Sequence, residues 1–149
     1  VPNIAYNINY NSQCPTTSIT SSKINWTPYF EYILTQKATG KRIKTDWVGN
    51  LKTGSVEITG INERVAATGT KAKLKQVKAD LIAGKIHVFD TNTFTVSGKK
   101  VNYYFADVDP DFNFSKDTQV VFDGYFHECE MRSAPYFDLM IDGITLLNT

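Results

Sequence analysis

The chain has 149 residues, enough for one domain with a real core, and 42% hydrophobic with 13% aromatic content excludes a disordered chain. Sixteen Lys and Arg stand against 15 Asp and Glu, a net charge of +1 with no long run of one sign, so the basic footprint of a nucleic-acid binder is absent. No window of about 18 apolar residues exists, which excludes a spanning helix, and two cysteines, Cys14 and Cys129, are too few for a disulfide framework; two free thiols are expected over a bridge.

The chain opens on Val1-Pro2 without an initiator Met or a signal-peptide pattern, and so reads as a processed or truncated product. Ile4-Ala5-Tyr6 reads as a short strand that runs into the polar loop Asn7-Ile8-Asn9-Tyr10-Asn11 and a turn around Cys14-Pro15. Ser18 to Ser22 reads as a second strand. A helix follows, with Trp26, Tyr29, Phe30, Ile33 and Leu34 at the spacing of one helical face, Asn25 as its N-cap, Pro28 in its first turn and Gly40 as its left-handed terminator. Such a helix is expected to pack that face on a sheet. Ser55 to Thr59 alternates as a strand, after the turn signal Lys52-Thr53-Gly54. The spacing predicts a second helix over Thr70 to Ala83, capped by Thr70, stopped by Gly84 and striped by Leu74, Val77, Leu81 and Ile82. Its Lys71, Lys73, Lys75 and Lys78 read as a solvated face.

Ile86 to Phe89 reads as a strand. From Asp90 the chain turns β-rich: a hairpin about Gly98 (Thr93 to Ala106), a strand and turn over Val120 to Phe126, and a hairpin-like end about Asp142-Gly143. The expected organisation is an α/β portion over 1–90 and a β-rich extension over 91–149.

Most chemical constellations fail on their spacing. Asp107, Asp109, Asp111 and Asn113 alternate like calcium ligands, but Phe112 and Thr118 stand where an EF-hand needs Gly and Glu, so a polar turn is expected. His127, Glu128, Cys129 and Glu130 crowd ligand types together with only His87 to complete a set, and no metal site is expected. There is no Gly-x-Ser-x-Gly, no Gly-x-Gly-x-x-Gly and no P-loop, so neither an enzyme nor a cofactor is expected. Aromatic rings and amides remain, Tyr6, Asn7, Asn9, Asn25, Trp26 and Trp47, of which Asn7, Asn9, Asn25, Trp26 and Trp47 are the candidate ligand-binding residues. A flat heteroaromatic ligand needs a ring to stack on and amides to read its edge, and a strand entering an aromatic helix start is where open α/β sheets hold ligands.

Taken in order, Tyr6-Asn7-Ile8-Asn9, Ile19-Thr20, Asn25-Trp26-Thr27-Pro28-Tyr29-Phe30, Asp46-Trp47-Val48-Gly49, Lys52-Thr53-Gly54-Ser55-Val56 and Ala83-Gly84-Lys85-Ile86-His87-Val88-Phe89 resemble the carboxyl-terminal half of the basic membrane lipoprotein (BMP) family. The tail, with Phe89-Asp90-Thr91-Asn92-Thr93-Phe94, Asp123-Gly124-Tyr125-Phe126-His127-Glu128 and Arg132-Ser133-Ala134-Pro135-Tyr136-Phe137-Asp138, resembles an extension in a Firmicutes-type branch of it. The resemblance implies a type I periplasmic-binding-protein fold, Rossmann-like with a parallel sheet, and a lipid-anchored substrate-binding protein on the outer face of the cell membrane. Its implied partners are a purine nucleobase or nucleoside and the ABC permease that imports it. Family members commonly carry Asp-x-Asp where this chain has Asn7 and Asn9. Losing the carboxylate favours a free base over a nucleoside. Complete members are roughly twice as long, so the resemblance implies a piece holding parts of both lobes, with Asn7 in one and the Asn25-Trp26 helix in the other. Such a piece has lost partner strands and half the ligand shell, and two outcomes stay open for it: no ligand binding in isolation, or a homodimer paired through open sheet edges. The competing reading is a protein-interaction module that docks through its β tail.

Overall fold

The computed structural model describes residues 1–109, 117–128, 130–132 and 136–147. They form a mixed α/β chain with two helices and two three-stranded sheets. The chain divides into two compact units, Val1–Lys85 and Ile86–Thr149.

In the first unit lie β1 (Asn3–Tyr6), β2 (Ser18–Ile24), α1 (Thr27–Ala38), β3 (Val56–Ile58) and α2 (Thr70–Ile82). The sheet order is β1-β2-β3, with β1 parallel and β3 antiparallel to the central β2. β1 and β2 end on the same edge of this sheet, and the Asn7 N–H closes the pair by donating to the Ser22 carbonyl at 2.7 Å. Asn7 and the Asn25-Trp26 segment therefore belong to one sheet, where the resemblance implied two lobes. One parallel pairing joins the expected strands, and a hydrogen-bonded ladder is what puts them together.

Polar groups hold the centre of this sheet. Ser18, Thr20 and Ser21 of β2 are buried, as is Ser55. The Thr20 hydroxyl donates to the Thr59 carbonyl at 2.8 Å, and the Ser21 N–H donates to the Thr59 hydroxyl at 2.9 Å. The Asn62 amide donates to the carbonyls of Ser18 and Pro15, both at 3.0 Å, and the Asn11 amide to Gly60 at 2.8 Å. Among the described residues, every buried hydrophobic side chain lies in the second unit.

Both helices stop as their glycines require. Gly40 (φ +65°) and Gly84 (φ +66°) follow the C-caps Thr39 and Ala83 in the left-handed region, and Lys41 and Lys85 donate back to Gln36 and Asp80. The starts differ from expectation. Trp26, not Asn25, occupies the N-cap of α1, and Asn25 Oδ1 instead accepts from the Thr27 N–H in an Asx turn. Gly69, not Thr70, caps α2, because the backbone there needs φ +87°, which glycine adopts without a Cβ clash. Neither helix buries a residue, so the aromatic face of α1 is not the core face its periodicity suggests.

The second unit holds β4 (Tyr104–Ala106), β5 (Thr118–Phe122) and β6 (Tyr125–Phe126) in the order β4-β5-β6, all antiparallel. β5 and β6 form the expected strand-and-turn: Asp123 (φ +51°) and Gly124 (φ +83°) supply the left-handed pair of a two-residue hairpin. Ile86 to Phe89 does not form a strand. Instead the Phe89 carbonyl accepts from Phe126 and the Thr91 N–H donates to Gly124, so the chain joins β6 just beyond the expected stretch. The core is Ala106, Val120, Val121, Phe126 and Tyr136, with Phe89, Tyr104 and Phe137 packed against it. Phe126 meets Phe137 edge-on at 4.8 Å between ring centres, and Phe89 stacks on Phe137 at 5.2 Å.

The two turns read from sequence, at Gly98 and Asp142-Gly143, dock on each other rather than heading hairpins of their own. Asp142 accepts from the Thr95 hydroxyl at 2.5 Å and from the N–H groups of Gly98 (2.8 Å) and Ser97 (3.0 Å). Strand β4 pairs with β5, which leaves Val96 and Lys99 only a local bridge. Of the acidic loop, Asp111 and Asn113 lie outside the described residues.

Two outcomes follow from this packing. Val121→Ala in the buried cluster is expected to cost about 2 kcal/mol in urea unfolding, whereas Ile4→Ala, on an exposed side chain, stays within about 0.5 kcal/mol. The Thr95 hydroxyl, followed by the Gly98 and Ser97 amides, holds the Asp142 carboxyl below its ordinary value of 3.8. Its contribution is present above that pH and lost as pH falls through the lower folded value. The stability gap between wild type and Asp142→Asn should therefore close on acidification below about pH 4 in a pH series of thermal melts.

Candidate functional site

Tyr6 pairs with Ser22 and Ile24 with Val56, so the carboxyl ends of β1 and β2 and the start of β3 share one edge of the sheet. Of the five residues singled out from sequence, Asn7 and the Asn25-Trp26 pair follow β1 and β2 at that edge, Trp47 is reached through Tyr29, and Asn9 is tied to Asn11, which bonds Ser18 at the start of β2. Asn7 sits at φ +75°, a left-handed position that Asn tolerates, with its side chain exposed. Asn9 spends its side-chain oxygen on the Asn11 N–H at 2.9 Å, an Asx turn within the loop.

Asn25 is a tie between three segments. Its backbone N–H donates to Ser55 at 2.8 Å, and its amide donates to the Gly54 carbonyl at 3.2 Å and to Glu57 Oε1 at 2.9 Å. With Oδ1 on the Thr27 N–H at 3.1 Å, both amide donors are used and one lone pair of the oxygen remains. Lys23 hydrogen-bonds Glu57 at 3.0 Å, and with Asn25 it holds that carboxyl below its ordinary value.

The rings do converge. Trp26 is 59% exposed and meets Tyr29 edge-on at 6.2 Å between ring centres; Tyr29 in turn lies 5.1 Å from Trp47. Tyr29 thus joins the two tryptophans into one aromatic group, extended by Phe30 at 6.0 Å from Tyr29. Tyr29 was visible in the sequence only as a member of the helical face. Its i, i+3 spacing from Trp26 was the signal, but its contact with Trp47 depends on how the 41–54 segment returns.

Gly49 controls that return. A Cβ at this position would lie 2.6 Å from Ser55 Cβ and 2.7 Å from a Trp47 ring carbon, so no larger residue fits between the tryptophan and the buried serine.

Elsewhere, a recess of about 590 Å³ lies at the start of α2, lined by Ala66, Thr68, Gly69, Lys71 and neighbours. None of the five residues lines it; its Lys71 pairs with Glu63 at 2.7 Å, and Lys75 also lines it.

In the second unit, His127 is 3% exposed, with Nδ1 2.9 Å from Glu130 Oε2. Its ring lies between Phe122 (3.5 Å) and Tyr125 (3.9 Å), and His87 stacks on Tyr125 at 3.6 Å. Its buried Nε2 has no hydrogen-bond partner among the described residues. Among the described residues no three His, Cys, Asp or Glu side chains come together as metal ligands. Cys14 is a half-buried free thiol, and Cys129 lies outside the described residues. No described helix is long and apolar enough to cross a membrane.

The chain matches no family model, no curated protein and no solved structure.

Gly49→Ala is expected to destabilise the first unit by about 1 to 3 kcal/mol and to shift Trp47 emission to the red, read by fluorescence-monitored urea unfolding. Asn25→Ala should cost about 2 kcal/mol without altering the emission of the exposed Trp26 in the folded protein.

Proposed function

We propose that the chain acts by binding a planar heterocyclic solute, and that it is a carboxyl-terminal part of an extracytoplasmic substrate-binding lipoprotein of an ABC importer. The observation that carries the binding step is the exposed Trp26 ring, backed by the half-buried Tyr29 and Trp47, beside the edge where β1 and β2 end. An exposed indole offers a flat π-face to a purine ring, and stacking of that kind is worth about 1 to 3 kcal/mol per base. Asn7, exposed at the same edge, has its amide free to donate to and accept from a base edge. Asn25 shapes the site by fixing the helix start against Gly54 and β3. The importer class, the purine base as ligand, the permease as partner and the lipid-anchored location rest on the ordered series of residues that resembles the BMP family, as does the type I binding-protein fold of the whole molecule. Closure of two lobes on the solute is the mechanical step in that class.

A second reading, a protein-interaction module, is favoured by one observation in the second unit. β4 is an outer strand, and Tyr103 and Phe105 on and beside it are 70% and 48% exposed. An outer strand with uncovered rings is a template for another chain.

Titration of purine bases and their nucleosides, followed by tryptophan fluorescence, separates the two. The solute reading expects saturable quenching by bases. Trp26→Ala should then lower affinity about 10- to 100-fold with little change in melting temperature, because the ring is exposed. Unchanged affinity in Trp26→Ala, or no quenching by any base or nucleoside, overturns it.

A further inference from the structure

The net charge of +1 conceals a division that follows the boundary between the two units. Residues 1–85 carry twelve Lys and Arg against five Asp and Glu, a net +7, and residues 86–149 carry four against ten, a net −6. In the first unit, three of the five carboxylates are already matched by lysines: Glu57 by Lys23, Glu63 by Lys71 and Asp80 by Lys85. The surplus cations stand apart from these pairs. Lys37, Lys41, Arg42 and Lys44 cluster within eight residues at the end of α1, all exposed, and Lys73 and Lys75 are exposed on α2.

The same unit leaves its apolar surface open. Phe30 (57%) and Leu34 (68%) are exposed on α1 within two turns of the basic cluster, and Ile4 and Tyr6 are exposed on the outer strand β1. A surface that combines uncovered aliphatic and aromatic side chains with unneutralised cations fits an acidic, partly apolar partner. That description matches the second unit. It has ten acids and exposes Tyr103, Phe105, Met140 and Ile144.

We infer that the chain associates with a second copy of itself, the basic first unit of one copy against the acidic second unit of the other. The exchange can be reciprocal, which closes a two-fold dimer in which the same contact is made twice. Opposite net charges accelerate the encounter and set which surfaces meet, while the uncovered apolar side chains supply the burial that holds the complex. The contact differs from pairing of like sheet edges, which needs no charge difference. It shares Phe30 with the aromatic group of the solute site but needs no solute to form.

Sedimentation velocity of the whole chain over a concentration series tests this. The expected result is concentration-dependent association at about 10 mM salt, where the screening length is roughly 30 Å, weakened at least about tenfold at about 1 M, where it is roughly 3 Å. The triple variant Lys41→Glu, Arg42→Glu, Lys44→Glu removes exposed cations that follow α1 and should weaken association about tenfold or more at low salt, with the helical circular dichroism unchanged. If the variant misfolds, the salt series on the unaltered chain still decides. A monomer at both salt concentrations overturns the inference. So does association that is indifferent to salt, which assigns the contact to sheet edges. A monomer that instead co-sediments with phosphatidylserine-containing vesicles assigns the basic surface to a membrane and also overturns it.

Discussion

The first unit depends on hydrogen bonds made by side chains to the backbone around β2. Its central strand carries Ser18, Thr20 and Ser21 where most sheets carry valine or isoleucine, so the ladder is secured from outside by Thr59, Asn62, Asn11 and Asn25. Each such bond contributes only about 1 kcal/mol net, but leaving a buried partner unmade costs more. The arrangement is therefore specific more than it is strong. It sets register and end positions closely, while no hydrophobic side chain of the unit is fully buried.

This constraint explains why the aromatic group is where it is. A helix with no buried residue cannot be held by its own apolar face, and α1 is held instead at its start by Asn25 and at its end by the backbone bonds about Gly40. The rings of Trp26 and Phe30 are left uncovered, while Tyr29 and Trp47 lean on each other across the Gly49 turn. The solute reading uses the uncovered ring surface, and self-association uses the cations beside it.

The second unit is built on the opposite principle. Its short strands close over Val120, Val121 and Phe126, and rings from four separate segments complete the packing. Polar groups here have staple roles: Asp142 grips the Gly98 turn, and Asp138 accepts from the Tyr104 hydroxyl at 2.5 Å; burial, and after it this bond, pushes that phenol up to about 12. The His127 carbonyl accepts from the Tyr136 hydroxyl, so even the buried histidine serves the core through its backbone.

Local signals in the sequence were enough to locate both helices, their terminating glycines, the strands β1, β2, β3 and β5, and the turns at Gly98, Gly124 and Gly143. Each of these is decided within a few residues, by periodicity or by a left-handed backbone position that glycine fills. The two missed caps were also local, but one turned on competition between Asn25 and Trp26 that only the tie to Gly54 and Glu57 resolves. Pairing was not legible. That Asn7 and Asn25 end strands of one sheet, that β4 joins β5 in place of the 93–96 stretch, and that two distant turns clasp through Asp142 all depend on contacts between residues far apart in sequence. The same holds for the site. Composition marked Trp26 and Trp47 as ring surfaces, but their junction through Tyr29, and the commitment of the Asn25 amide donors to the fold, required the chain to return on itself, because burial and hydrogen bonding are properties of neighbours in space.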